Sequence, residues 1–220
     1  MPYELELPEG LLGIGQTIVL PIPEDIATLK LPDPALIDMY RERSCRQIFI
    51  EGEITEDLVA YNRQIMEYNR EDRENNVPVE ERQPIYVYIY SNGGDLTASY
   101  SLIATIEASV TPVVTINMGM AYSGGCLILL AGHRRYCLRR SEALIHQGYT
   151  GLKGSISEAE EGMKAVQRSI AQMKSYVLEK TNIDEKLFNK NKSKDWWISD
   201  EQQVELGLVD AIVRSVDEIM

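Results

Sequence analysis

Three short runs carry residue types that could do chemistry together. In Ala121-Tyr122-Ser123-Gly124-Gly125-Cys126 a hydroxyl and two glycines interrupt an apolar stretch. In Ser91-Asn92-Gly93-Gly94-Asp95 two glycines end a run of alternating Ile, Val and Tyr. In Glu142-Ala143-Leu144-Ile145-His146 a histidine closes a short apolar segment. A helix starting just after Ser123 would aim the free N–H groups of its first turn, notably that of Gly124, at anything held by the hydroxyl. Gly93 and Gly94 offer further N–H groups with no side chain in the way. Two such loops at adjacent strand ends make a pocket for a negatively charged oxygen, as acyl transfer requires. Ser123 with His146 would supply a nucleophile and its base. The same residues also fit a tight turn, a capping serine and a structural histidine, and spacing alone does not choose.

The elements that must position them alternate. Residues 1–35, rich in Pro and Gly, read as an extended arm with one short strand at Thr17–Pro21. A strand over 45–55 is followed by a helix over 57–68 and then by a highly charged stretch to residue 84 that reads as a solvated helix end and loop. Ile85–Tyr90 is a second strand, and Asp95 caps the helix after it. A third strand over 111–117 leads to a helix from Gly124 or Gly125, and residues 134–148 form a pair of short strands. Two overlapping capping boxes, Ser155 with Glu158 and Ser157 with Glu160, can each open a long helix. Its apolar seam is Met163, Val166, Ile170, Met173 and Val177. A short helix and a strand close the chain. Strand–helix alternation at this spacing indicates an α/β fold in one domain with right-handed crossovers.

Composition removes several classes. With 22 basic against 34 acidic residues the net charge is −12, spread along the chain, which argues against nucleic acid as a main partner. Apolar runs stop well short of the ~20 residues of a membrane span, and the N-terminus lacks the blocks of a signal peptide. Three cysteines without a CxxC pair indicate reduced thiols in a cytoplasmic compartment. Two histidines in all give a metal site poor support, and no cofactor is expected.

Four ordered blocks, YIYSNGGD, GMAYSGGCLILLAG, SEALIHQG and WWISDEQQVELGLVD, resemble the signature blocks of the proteolytic subunit of the caseinolytic (Clp) proteases, from about Cys45 to Val213. The resemblance implies a crotonase-like, ClpP-like α/β fold of βαβ units with a protruding handle helix in the region 148–180. It places Ser123 on the nucleophile, His146 on the general base, and Gly94 and Gly124 on the oxyanion hole with Gly93 beside them. It implies that an extended segment holding Gly151 and Gly154 pairs with substrate as an added strand. It further implies stacked, seven-membered rings, homomeric or mixed, that enclose the serines and receive unfolded polypeptide from an ATP-driven unfoldase. The apolar stripe of the handle helix calls for intermolecular cover of this kind.

Where the family has the third catalytic residue, an aspartate, an ungapped count reaches Asn191, preceded by Lys190. Asp184, Glu185 and Asp195 are nearby carboxylates that could substitute for it by a local rearrangement, none of them on the matched position. Gly124, Gly148 and Tyr122 also depart from the family pattern, and the polar stretch 70–84 is longer than usual. An amide at 191 could orient His146 without balancing the imidazolium, which implies low activity. Two further readings stand beside the endopeptidase: a structural or regulatory ring paralogue, and a crotonase-type enzyme acting on acyl-CoA thioesters. Cleavage of a viral capsid precursor is a specialised variant of the first.

Overall fold

The computed structural model describes residues 34–148, 151 and 154–219. The arm read over 1–35, with its short strand, falls almost wholly outside the described residues, as do four positions of the segment after His146. The chain divides into two compact units, Met1–Arg41 and Glu42–Met220. Helix α1, Pro34–Ser44, runs across that division and was not anticipated. Everything that follows concerns the second unit.

The core of that unit is a parallel sheet. Strands β1 (Gln47–Ile54), β2 (Ile85–Gly94), β3 (Val113–Tyr122), β4 (Arg134–Leu138) and β7 (Ala211–Val213) lie side by side in that order. β5 (Glu142–Ile145) pairs parallel with the C-terminal end of β3, and β6 (Trp196–Ser199) pairs antiparallel with β5. The first half of β3 is continuously buried, as expected for a strand covered on both faces, whereas β1 and β2 bury their apolar Ile, Val and Tyr positions and expose several residues toward their C-terminal ends. Each parallel pair needs a crossover, and α2 (Val59–Glu74), α3 (Leu96–Ala108) and α4 (Gly124–Ala131) supply the first three.

These helices form one core with the sheet, built on Ile65, Tyr68, Leu102, Ile106, Ile128 and Leu129. A smaller cluster on Tyr88, Val114, Ile116 and Val213 includes Phe49 stacked on Tyr88 at 4.9 Å. α2 runs further into the charged stretch than its apolar pattern indicated. Asp72 near its end is buried and bound by Arg46 and the Thr111 hydroxyl, which hold its carboxyl below the usual range.

Helix α5, Ile156–Lys180, is opened by Ser155 and Glu158, so of the two overlapping boxes the first is used. Met173, Tyr176 and Val177 at its C-terminal end are buried, whereas Ile156 and Met163 toward its start are exposed. After it come α6 (Glu185–Asn191), β6 and α7 (Asp200–Glu205). Neither α6 nor β6 was read from the sequence. Cys126 and Cys137 are buried and Cys45 exposed. Burial pushes the Cys126 thiol up to about 12 and the Cys137 thiol up to about 11. Among the described residues no helix is long and apolar enough to cross a membrane.

Candidate active site

Ser123 stands at the turn from β3 into α4, with φ 54° and ψ −119°. A side chain at positive φ is disfavoured, and such strain persists only where surrounding structure holds it. The Ser123 N–H donates to the Leu144 carbonyl at 2.9 Å, tying the turn to β5. Its carbonyl accepts from Leu127 at 3.1 Å, which begins the helix. The side chain makes no capping hydrogen bond, so the hydroxyl is not spent on the helix it introduces. As the first helical residue, Gly124 has an N–H without an intrahelical acceptor, at the positive end of the helix dipole.

The end of β2 closes against this turn. A Cβ on Gly93 would fall 2.7 Å from both the Ser123 Cβ and the Tyr122 carbonyl, so only glycine lets the strands meet there. A Cβ on Gly94 would fall 2.2 Å from the Ile54 carbonyl, and one on Gly124 would fall 2.5 Å from the Ser99 hydroxyl. The Gly93 N–H is taken by the Ser91 hydroxyl at 3.0 Å, while that hydroxyl donates to the Gly52 carbonyl at 2.6 Å. Gly93 is therefore a spacer whose donor is already engaged.

A cavity of about 390 Å³ joins these parts. Ser123, His146, Gly93, Gly94 and Gly148 line it, with Met173 contributed by α5. Sequence reasoning missed Glu53 and Asn92, which also line it. The β1–β2 register explains Asn92: Gly52 pairs with Ser91 and Glu53 with Gly93, so Asn92 is the extra residue of a bulge. A larger cavity of about 730 Å³ lies between α2 and α3, lined by Arg63, Arg70, Arg73 and Arg82. Glu67, Thr105 and Ser109 also line it, and no histidine is among its lining residues. Among the described residues no three His, Cys, Asp or Glu gather as a metal site.

The expectation that Asn191 faces His146 is corrected. Asn191 is buried at the end of α6 and its amide donates to the Leu187 carbonyl at 3.0 Å, back along its own helix. The group on His146 Nδ1 is Asp195, with Oδ1 at 3.4 Å. The reason is strand register. β5 and β6 pair Leu144 with Trp197 and Ile145 with Trp196, and His146 and Asp195 are the residues flanking that last pair.

Among the described residues, nothing lies within 4 Å of the Gly151 Cβ position. Gly154, at φ +138°, has its Cβ position 2.7 Å from the Glu158 carboxylate of the α5 cap. Residues 149–150 and 152–153, the rest of the segment expected to pair with substrate, lie outside the described residues.

Residues 36–216 match the model of the Clp protease family. The chain is 32% identical over 192 residues to the ATP-dependent Clp protease proteolytic subunit 2 of Treponema denticola, covering 85% of this chain and 90% of that protein. It is 30% identical over 172 residues to the protein of the same name from Treponema pallidum, covering 77% and 82%.

Proposed function

Since the chain belongs to the Clp protease family and is a peptidase subunit, we propose that it is a serine endopeptidase with Ser123 as nucleophile and His146 as general base. One observation carries this reading. An uncapped serine hydroxyl at a strained strand-to-helix turn shares a cavity with the only histidine near it, against two glycines that admit no side chain.

In the proposed reaction Ser123 Oγ attacks a peptide carbonyl carbon while His146 takes the hydroxyl proton. The carbonyl π pair moves to oxygen, which the N–H groups of Gly124 and Gly94 receive as the oxyanion. Collapse breaks the C–N bond, and His146 returns its proton to the departing amine. A water then attacks the acyl-serine, with His146 again as base, to release the acid and restore Ser123. Gly93 keeps the wall thin, and the segment holding Gly151 and Gly154 is the place for an extended substrate strand. The low activity expected from Asn191 assumed an amide facing His146, whereas the Asn191 side-chain NH2 donates to the Leu187 carbonyl.

The proposal extends to assembly. The exposed first half of α5, with Ile156 and Met163, suits burial against a second ring, and the substrates would be unfolded polypeptides delivered by an ATPase. The test of the chemistry is covalent labelling with a fluorophosphonate, together with hydrolysis of a short fluorogenic peptide. Modification at Ser123, lost with hydrolysis in Ser123→Ala, is the expected result; labelling at no residue would instead favour a non-catalytic ring subunit. Light scattering tests assembly: a lone 24.9 kDa species across concentration and salt would refute it.

A further inference from the structure

We propose that Asp195, four residues beyond the position the family pattern indicates, is the positioning residue that orients His146 for proton transfer. The inference rests on the serine-peptidase reading above and adds the group that would complete it. Three observations converge. Asp195 Oδ1 stands 3.4 Å from His146 Nδ1, the ring nitrogen on the side away from a base's reacting atom. The antiparallel β5–β6 ladder ends at Ile145 with Trp196, so the two residues flank its last rung. Asn191, the alternative, is buried with its amide donated to Leu187.

The chemistry follows from which atoms face each other. A carboxylate at Nδ1 accepts the ring proton there and leaves the Nε2 lone pair free to take the Ser123 proton. It also supplies the negative charge that balances the imidazolium formed as Ser123 attacks. A separation of 3.4 Å is slack for a hydrogen bond, as is common before substrate closes a site. Asp195 is 45% exposed, and so exposed a pair adds little to folding. That separates its role from a structural one: loss of the carboxylate should leave the fold and remove the rate.

The experiment measures kcat and KM for a fluorogenic peptide, fluorophosphonate labelling rate and melting temperature on the full chain. The variants are Asp195→Asn, Asp195→Glu, Asn191→Ala, the exchange pair Asn191→Asp with Asp195→Asn, and Ser123→Ala. In chymotrypsin-type triads the Asp→Asn change lowers turnover about 10⁴-fold. Here Asp195→Asn is expected to lower kcat and labelling by at least about 100-fold, with KM within about twofold and melting unchanged. Asp195→Glu should recover part of the rate, Asn191→Ala should keep it, and the exchange pair should stay slow because residue 191 faces its own helix. A kcat for Asp195→Asn near wild type, its unfolding, or rescue by the exchange pair would each overturn the proposal. Survival of hydrolysis in Ser123→Ala would instead overturn the reading beneath it.

Discussion

Gly93–Gly94 and Gly151–Gly154 look alike in the sequence, as glycines at which a peptide backbone could approach closely. In the fold they differ. At the end of β2 the space is already filled: a side chain on Gly93 would strike Ser123 and Tyr122, and one on Gly94 would strike the Ile54 backbone. Among the described residues nothing approaches the Gly151 Cβ position, and at Gly154 the near neighbour is the Glu158 carboxylate that caps α5. The first pair brings one part of the chain against another to form a wall of the cavity. Of the second, one leaves room and the other serves a helix end. A glycine thus marks close approach only when its neighbours are known.

The comparison is tested most severely at Gly94. Gly94→Ala sets a methyl group against backbone that cannot turn aside, at φ +152°. A loss of roughly 3 kcal/mol or more is expected, lowering the melting temperature by about 6–12 °C in a chain of this size. Melting within 2 °C of wild type would show that β1 and β2 yield easily and would dissolve the contrast.

Gly154→Ala comes next. Its methyl group meets a flexible side chain, but the positive φ remains and the Ser155–Glu158 box is disturbed. The expected cost is about 1–2 kcal/mol, read by thermal denaturation and by a small loss of helical circular dichroism. For the same reason Gly154→Pro would confuse substrate pairing with cap loss and is a poor probe of binding.

Ser123→Gly should move stability the other way. Glycine adopts φ 54°, ψ −119° without the penalty a Cβ brings, so a gain of about 1 kcal/mol is expected with complete loss of fluorophosphonate labelling. Should melting fall instead, the Ser123 side chain would be contributing packing that outweighs its backbone strain. Gly151→Ala is the smallest effect, within about 0.5 kcal/mol of wild type by chemical denaturation, as for any substitution into open space. A larger loss there would mean that the segment is packed and not open.

Much of this was legible in the chain. β2 announces itself by its continuous run of Ile, Val and Tyr, and Asp95 does cap α3, accepting from the Ala98 N–H at 2.7 Å. The Ser123 turn was readable because a hydroxyl and two glycines have no reason to interrupt an apolar run unless the backbone turns sharply there. What could not be read depends on register. β6 is four residues long and follows a lysine-rich stretch, so neither periodicity nor turn chemistry marks it. Whether residue 191 or 195 faces the histidine follows from how that strand pairs with β5, which no local pattern encodes. Asn92 was hidden for a related reason, since a bulge is a property of two strands together. The choice between the two capping boxes likewise awaited the backbone at Gly154, where positive φ sets the entry to α5.

The distribution of thiols gives the molecule a built-in reporter. Cys45 is exposed, while Cys126, two residues past the Gly124 position, and Cys137 on β4 are buried with their protons held tightly. A mild alkylating dye should therefore mark native protein once, at Cys45, leaving the cavity untouched. Complete labelling of all three would occur only as α4 and β4 come apart. The interval between the first and the later additions, followed by mass spectrometry, would time the opening of the very element that carries Ser123.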